Sequence, residues 1–300
     1  MKEKVLDIQQ LTCAYGQAKV LQLDSMQFHR GELVFILGRS GIGKSTLIET
    51  LGLMNNTIFP NPNTTLHFYP NDKASPTPVR PTGGSDIQHP TSIALHDIWK
   101  SSNTTIAQFR NNYFSFIFQN TNLMPNFTAG ENMSISQLIQ GIPLDQSKER
   151  VFEMMQSLDL PPDIYYKKVY ELSGGQRQRL AFVRAVTSSF EVLFGDEPTG
   201  NLDRFTSSQL MQILSKILKN QHKTAIIVSH DIDLAVQYAD KILLLTPTEQ
   251  PDTQRVLGIV LPENQLQKAD DGTWTNKLEQ SVEDPESYIQ SVLQQIGSLI

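Results

Sequence analysis

The stretch Leu33-Val34-Phe35-Ile36-Leu37-Gly38-Arg39-Ser40-Gly41-Ile42-Gly43-Lys44-Ser45-Thr46 passes from an apolar run through a glycine-rich loop into a helical segment. Five consecutive apolar residues suit a strand buried on both faces. Gly38 to Ser45 satisfies the pattern G-x-x-x-x-G-K-[ST], which has meaning only between a strand and a helix, and both contexts are present. The glycines let backbone amides turn inward onto phosphate oxygens. The helix that starts near Lys44 adds the positive end of its dipole. Lys44 is then expected to neutralise β- and γ-phosphates, and the Ser45 hydroxyl to take a Mg2+ coordination position. Gly38, Arg39, Ser40, Gly41, Ile42, Gly43, Lys44, Ser45 and Thr46 are the candidate nucleotide-binding residues of this loop.

Such a site needs a metal-binding carboxylate at the end of a neighbouring strand. Val192-Leu193-Phe194-Gly195-Asp196-Glu197 supplies one. Asp196 is expected to be the Mg2+ partner, and Glu197, one residue on, the general base that polarises an attacking water. Further out, alternation predicts strands over 4–12 and around 20–28, and short apolar runs predict strands at 114–118, 192–194 and 224–228. Val151, Met154, Met155 and Leu158 mark one amphipathic helix, and Leu210, Ile213, Leu214, Ile217 and Leu218 another; a further helix follows Gly174 and Gly175. Strands alternating with helices predict an α/β fold with a largely parallel, doubly wound sheet, here in a P-loop NTPase context.

Composition narrows the field. Of 300 residues, 39% are hydrophobic and 19% charged, enough for a large core and against wholesale disorder. Lys plus Arg number 25 against 31 Asp plus Glu, and the resulting −6 argues against gripping nucleic acid through bulk positive charge. Cys13 is the single cysteine, so neither an intrachain disulfide nor a multi-thiolate metal site can form. No apolar run approaches the roughly 20 residues of a membrane span, and the start of the chain has no apolar signal core. The expectation is a soluble, cytoplasmic chain whose membrane role would come through a partner.

Two segments depart from the pattern. Seven of the sixteen prolines fall between Pro60 and Pro90, and residues 57–105 lack periodicity and read as an insertion of low-complexity loop, with Ile93, Leu95, Ile98 and Trp99 available as a small docked element. Residues 246–300 read as a C-terminal extension, ambiguous at first and then a terminal amphipathic helix on Tyr288, Ile289, Val292, Leu293, Ile296 and Leu299.

Leu172-Ser173-Gly174-Gly175-Gln176 resembles the signature motif of ATP-binding-cassette ATPases, and it starts 23 residues before Asp196, counted from Ser173. The order phosphate loop, Gln119, signature, Asp196-Glu197, Asp203, His230 matches that family throughout. The resemblance covers roughly residues 4–245, interrupted by the segment at 57–105, within an ATPase domain of 1–245, and implies a mostly parallel core sheet, an antiparallel β subdomain and an α-helical subdomain over about 120–185. It implies that Tyr15 stacks on adenine, that Gln119 senses the γ-phosphate and Mg2+ and faces the transport partner, and that His230 contacts the γ-phosphate and orders the water. It further implies that Ser173, Gly174, Gly175 and Gln176 contact ATP held by a second copy, and that the loop at Asp203 links the two sites. The implied active unit is a head-to-tail homodimer with two ATP molecules at its interface.

Phe118 to Pro125, Phe127 to Asn132 and Asp196 to Asp203 are similar to segments of lipoprotein-releasing and macrolide-exporter ATPases, with the cell-division ATPase close to them. This implies an ATP-hydrolysing subunit at the inner face of the cell membrane, bound to a permease-type membrane protein on a separate chain. A division-type regulator is the alternative, since it would use the same motifs. A nucleic-acid-associated cassette ATPase fits less well: residues 57–105 carry no heptads for a coiled coil, and the chain has one cassette where the translation class has two. The 75 residues from Lys44 to Gln119 (119 minus 44) exceed the usual family interval, and the tail beyond 245 lies outside the recognised core.

Overall fold

The computed structural model describes residues 3–71, 92–249 and 256–295. Two alternating segments open the chain as β1 (Lys4–Tyr15) and β2 (Ala18–His29), an antiparallel hairpin turned by Gly16 at φ 61°, a conformation with no steric penalty for glycine. β3 (Leu33–Gly38) leads through the glycine loop to α1 (Lys44–Leu51). β4 (Thr65–Phe68), β5 (Ile93–Ala94), α2 (Leu95–Trp99) and α3 (Asn103–Tyr113) follow, and α3 runs directly into β6 (Phe114–Ile117). α4 (Ala129–Ile139), α5 (Leu144–Ser157) and α6 (Gly174–Thr187) form the helical layer. Strand–helix alternation resumes with β7 (Val192–Asp196), α7 (Arg204–Gln221), β8 (Thr224–Val228), α8 (Ile232–Tyr238) and β9 (Lys241–Glu249). The chain continues as β10 (Val256–Ile259), β11 (Gln265–Lys268), β12 (Trp274–Asn276), β13 (Ser281–Val282) and α9 (Pro285–Gln295).

The strands join in the order β5-β4-β1-β2-β10-β9-β3-β8-β7-β6, with β11, β12 and β13 added beside β9. β9, β3, β8, β7 and β6 are mutually parallel. The strand that joins this parallel block to the antiparallel one is β9: Lys241 to Leu245 pair with β3, while Thr246 to Glu249 pair with β10. Each central strand divides its side chains between two cores. Leu33, Phe35 and Leu37 pack with α4 to α8, whereas Val34 and Ile36 pack against α1, α3 and the β1–β2 hairpin. Leu193 and Ile227 face the first side, and Phe194 and Ile226 the second. This two-sided burial is why these strands read as unbroken apolar runs. On the second side Phe68, Phe109, Tyr113 and Phe114 form an edge-on aromatic cluster with centroids 4.8–5.6 Å apart.

The structure bears on three segments that the sequence set apart. Residues 57–105 are not a loop throughout: Leu66 and Phe68 of β4 pair opposite Ile8 and Leu6 of β1 and are fully buried. Leu95 and Ile98 dock into the same core, while the prolines from Pro76 to Pro90 lie outside the described residues. Residue 245 is not a structural boundary, because β9 runs through it and β10 enters the sheet between β9 and β2. The terminal amphipathic helix is present as α9, with Ile289 buried in the first core and the Tyr288 hydroxyl donating to Glu263 O at 3.0 Å; Ile296 and Leu299 lie outside the described residues. No helix among the described residues is long and apolar enough to cross a membrane.

At the amino ends of the parallel strands, the Arg30 guanidinium meets the Glu191 carboxylate at 2.9 Å, both side chains buried. Both Glu191 oxygens also accept the amide of Asn71, at 3.0 and 2.9 Å, so one carboxylate ties the β2–β3 turn to the chain after β4. Removing one member of a buried pair strands the other charge. Glu191→Ala is therefore expected to lower stability by about 3–5 kcal/mol in urea unfolding. Nearby, Lys223 Nζ lies 4.1 Å from the Phe190 ring centroid, and burial pushes this amine down to about 8. The folded state then binds fewer protons than the unfolded state between about pH 8 and the ordinary lysine value of 10.5, so this group's contribution to stability rises with pH across that window. Lys223→Met is expected to raise the melting temperature at pH 7, with the gain shrinking as pH rises from 8 to 10.

Candidate active site

The carboxyl ends of parallel strands, where the chain leaves the sheet, form the ligand edge of an open α/β fold. Here that edge collects Gly38 from β3, Asp196 from β7, and Ser229 and His230 just past β8. Gln119 lies two residues beyond β6, exposed, on the strand next to β7. The sequence expectation that Asp196 ends a strand neighbouring the phosphate loop is corrected by one strand. β8 lies between β3 and β7 because β3 pairs with β8 and β8 with β7.

The loop itself is braced on three sides. Gly41 and Gly43 take φ values of 80° and 102°, which favour glycine, and Gly43 caps α1. A Cβ at Gly38 would stand 2.9 Å from Leu245 O on β9, and one at Gly43 would stand 3.1 Å from Val20 on β2. From the other direction, a Cβ at Gly258 of β10 would lie 2.3 Å from Ile42 O, so β10 backs the loop at backbone distance. Arg39, Ser40 and Gly41 form the exposed crest, while Lys44 and Thr46 are buried and Ser45 half-buried.

Lys44 curls over its own loop, its Nζ donating to Gly38 O at 2.7 Å and Arg39 O at 2.9 Å. Burial pushes its ammonium below the ordinary lysine range, and the Glu197 and Asp196 carboxylates oppose that shift. A buried cation held only by carbonyls, in a loop whose glycines take left-handed φ values, fits an anionic phosphate group. The Ser45 hydroxyl and the Asp196 carboxylate offer hard oxygen ligands of the kind that suit Mg2+. Among the described residues no cluster of three or more His, Cys, Asp or Glu forms a metal cage.

Glu197 sits at φ 48°, and its amide donates to Val228 O at 2.9 Å. The exposed His230 approaches Glu197 Oε2 through Nδ1 at 2.9 Å. A carboxylate oxygen accepts, so this contact is a hydrogen bond in the tautomer that carries its proton on Nδ1. The Tyr15 ring is exposed at the end of β1, its hydroxyl 3.4 Å from Thr46 Oγ1 and accepting from Asn55 Nδ2 at 3.3 Å.

The remaining sequence candidates are bonded within their own helix starts. Ser173 Oγ accepts from the amide of Gln176 at 3.2 Å, and Gln176 Oε1 accepts from the Ser173 amide at 2.9 Å, a reciprocal capping box on α6. The Gln176 amide at this helix start is therefore bonded to Ser173 Oγ. Asp203 caps α7 by accepting from Thr206 N at 2.9 Å and Thr206 Oγ1 at 2.7 Å, bonds that hold its carboxyl below the usual range. Two contributors were not legible in the sequence. Gly258 lies in what read as an ambiguous tail, and Gln178 sits inside a helix with no local pattern to mark it.

Gly258→Val is expected to push Ile42 and the loop crest out of place. Losing about one charge-assisted hydrogen bond to phosphate would weaken ATP binding on the order of tenfold, read by isothermal titration.

The ABC transporter family model matches residues 81–200. The chain is 31% identical over 235 residues to the lipoprotein-releasing system ATP-binding protein LolD of Geobacter metallireducens, spanning 77% of this chain and 91% of that protein. It is 32% identical over 257 residues to the macrolide export ATP-binding/permease protein MacB of Aggregatibacter actinomycetemcomitans, spanning 84% of this chain but only 35% of that protein. The dimeric bacterial ABC transporter cassette MJ0796 superposes with a TM-score of 0.63 at 26% identity, over 80% of this chain and 93% of that one. A post-hydrolysis dimer of the same cassette, bound to ADP and phosphate, superposes equally well at 25% identity. With the phosphate loop, the two carboxylates and the signature helix in this arrangement, the chain belongs to the ATP-binding cassette family of ABC transporter ATPases.

Proposed function

We propose that two copies of this chain close head to tail on two ATP molecules, hydrolyse them, and so drive a membrane protein carried on a separate chain. The observation that carries the catalytic part is the Glu197 carboxylate, held at 2.9 Å by His230 while its field reaches the Lys44 ammonium in the phosphate loop. Water attacks the γ-phosphorus as the bond from that phosphorus to the β,γ-bridging oxygen breaks. The water proton passes to Glu197, and ADP and phosphate leave. His230 orients the carboxylate and Lys44 stabilises charge on the phosphates, so most of the acceleration comes from positioning and electrostatics. Mg2+, held by Ser45, Gln119 and Asp196, would neutralise charge on the β- and γ-phosphates.

Tyr15 offers an exposed ring for adenine beside the loop. Ser173, Gly174 and Gly175 are small and lie at a helix start, and with Gln176 they would meet the γ-phosphate held by the opposite copy, with Asp203 on the loop between the sites. The separate membrane chain is supported by the match along 91% of the lipoprotein-releasing system ATP-binding protein LolD of Geobacter metallireducens. The chain would then work at the inner membrane face, held there by its partner.

Glu197→Gln is expected to bind ATP normally, to lose turnover by about 100- to 10,000-fold, and to elute as a dimer when ATP is present. Wild-type turnover in this variant would overturn the general-base role, and a monomeric ATP complex the dimer. Affinity capture from detergent-solubilised membranes is expected to bring down one multispanning protein; its absence would overturn the membrane-partner assignment.

A further inference from the structure

Gln178 lies on α6, five residues after Ser173, and is fully buried (178 minus 173). Its Nε2 donates to Pro198 O at 2.7 Å and to Glu197 O at 3.3 Å. Its Oε1 is buried with no hydrogen-bond partner. An apolar side chain of the same size would fill this space without an orphaned acceptor, so packing alone does not account for an amide here. What the amide does is grip the main chain that presents the catalytic carboxylate.

That main chain needs holding. Glu197 has a left-handed φ of 48° and is followed by proline, a conformation that persists only when its surroundings over-determine it. β8 holds the Glu197 amide through Val228 O at 2.9 Å, and Gly200 N donates to Glu197 O at 3.2 Å. Gln178 supplies the third hold, reaching the carbonyl side from another element. The same helix carries Gly175 against Leu202 and Asn201 O, so its first turns run along the whole loop from Glu197 to Asp203.

We infer that Gln178 is a positioning residue for hydrolysis, which ties the helix bearing the signature to the backbone of the catalytic Glu197. This rests on the general-base reading of Glu197. A displacement of α6 carries the Glu197–Pro198 carbonyls with it and re-aims the carboxylate, so the signature end of the helix and the base of the same copy move together. ATP contacts from Lys44 and Tyr15 lie on other elements and are left in place.

The test uses the full chain with Gln178→Met, which keeps the volume and removes the donor. The expected result is an ATP dissociation constant within about twofold of wild type and a kcat lower on the order of 10- to 100-fold, the scale set by a misaimed catalytic group. Combining Gln178→Met with Glu197→Gln is expected to add no further loss, because both act through one carboxylate. Gln178→Glu provides a second readout. Ionised, it repels the two carbonyls, and protonated it can donate once, so its activity relative to wild type is expected to rise as pH falls. Wild-type kcat in Gln178→Met, or binding and melting temperature lost in step with kcat, would overturn the proposal. So would a pH profile for Gln178→Glu parallel to wild type. An inactive Glu197→Gln alongside a fully active Gln178→Met would sink this inference while leaving the general-base reading intact.

Discussion

Everything in this fold follows from the need to bury β3 on both faces. Its apolar run cannot be left open to water on either side, so one layer of helices must cover Phe35 and Leu37, while α1, α3 and the β1–β2 hairpin cover Val34 and Ile36. With both faces taken, the free place around β3 is its carboxyl end. The chain leaves the sheet there through Gly38 to Gly43, and the same constraint on β7 and β8 brings Asp196, Glu197 and His230 to the same edge. The site is therefore a by-product of two-sided burial before it is a set of chemical groups.

The phosphate loop is held by contacts too close for a side chain. Leu245, Val20 and Gly258 approach it from β9, β2 and β10, strands spread across more than two hundred residues of chain. Such a loop is held in one backbone shape before ligand arrives, which removes ordering entropy from the binding step. Lys44 is bonded to carbonyls of its own loop, with no carboxylate at hydrogen-bond distance among the described residues, and a phosphate offers its buried ammonium a better partner. On the far side of the site, Glu197 is set by backbone bonds to β8 and α6, so its aim is a property of how those elements pack.

The parts legible in sequence were those whose chemistry demands contiguous residue types. The loop from Gly38 to Ser45, the Asp196-Glu197 pair after an apolar strand, and the helix faces at Val151 and Leu210 all carry their periodicity or their spacing locally. β4 went unread because four residues with only Leu66 and Phe68 inward are too few for a pattern amid threonine and proline. β10 to β13 are two to four residues long and exist because distant edges of β2 and β9 are there to pair with them. The strand at 224–228 was legible, but its place between β3 and β7 was not, because order within a sheet is not encoded in order along the chain.

What the sequence by itself determined was the class of chemistry: a phosphate cradle and a carboxylate pair, each marked by residues adjacent in the chain, with the histidine marked only by the order of motifs. Tertiary structure decided their mutual aim. The 2.9 Å approach of His230 to Glu197, the seating of Ile42 on Gly258 and the grip of Gln178 on Pro198 join residues 33, 216 and 20 positions apart, as differences of their numbers. The reason is that local propensity acts over a few residues through backbone sterics. Burial of apolar surface is non-directional and brings together whatever the closed sheet leaves at its edge.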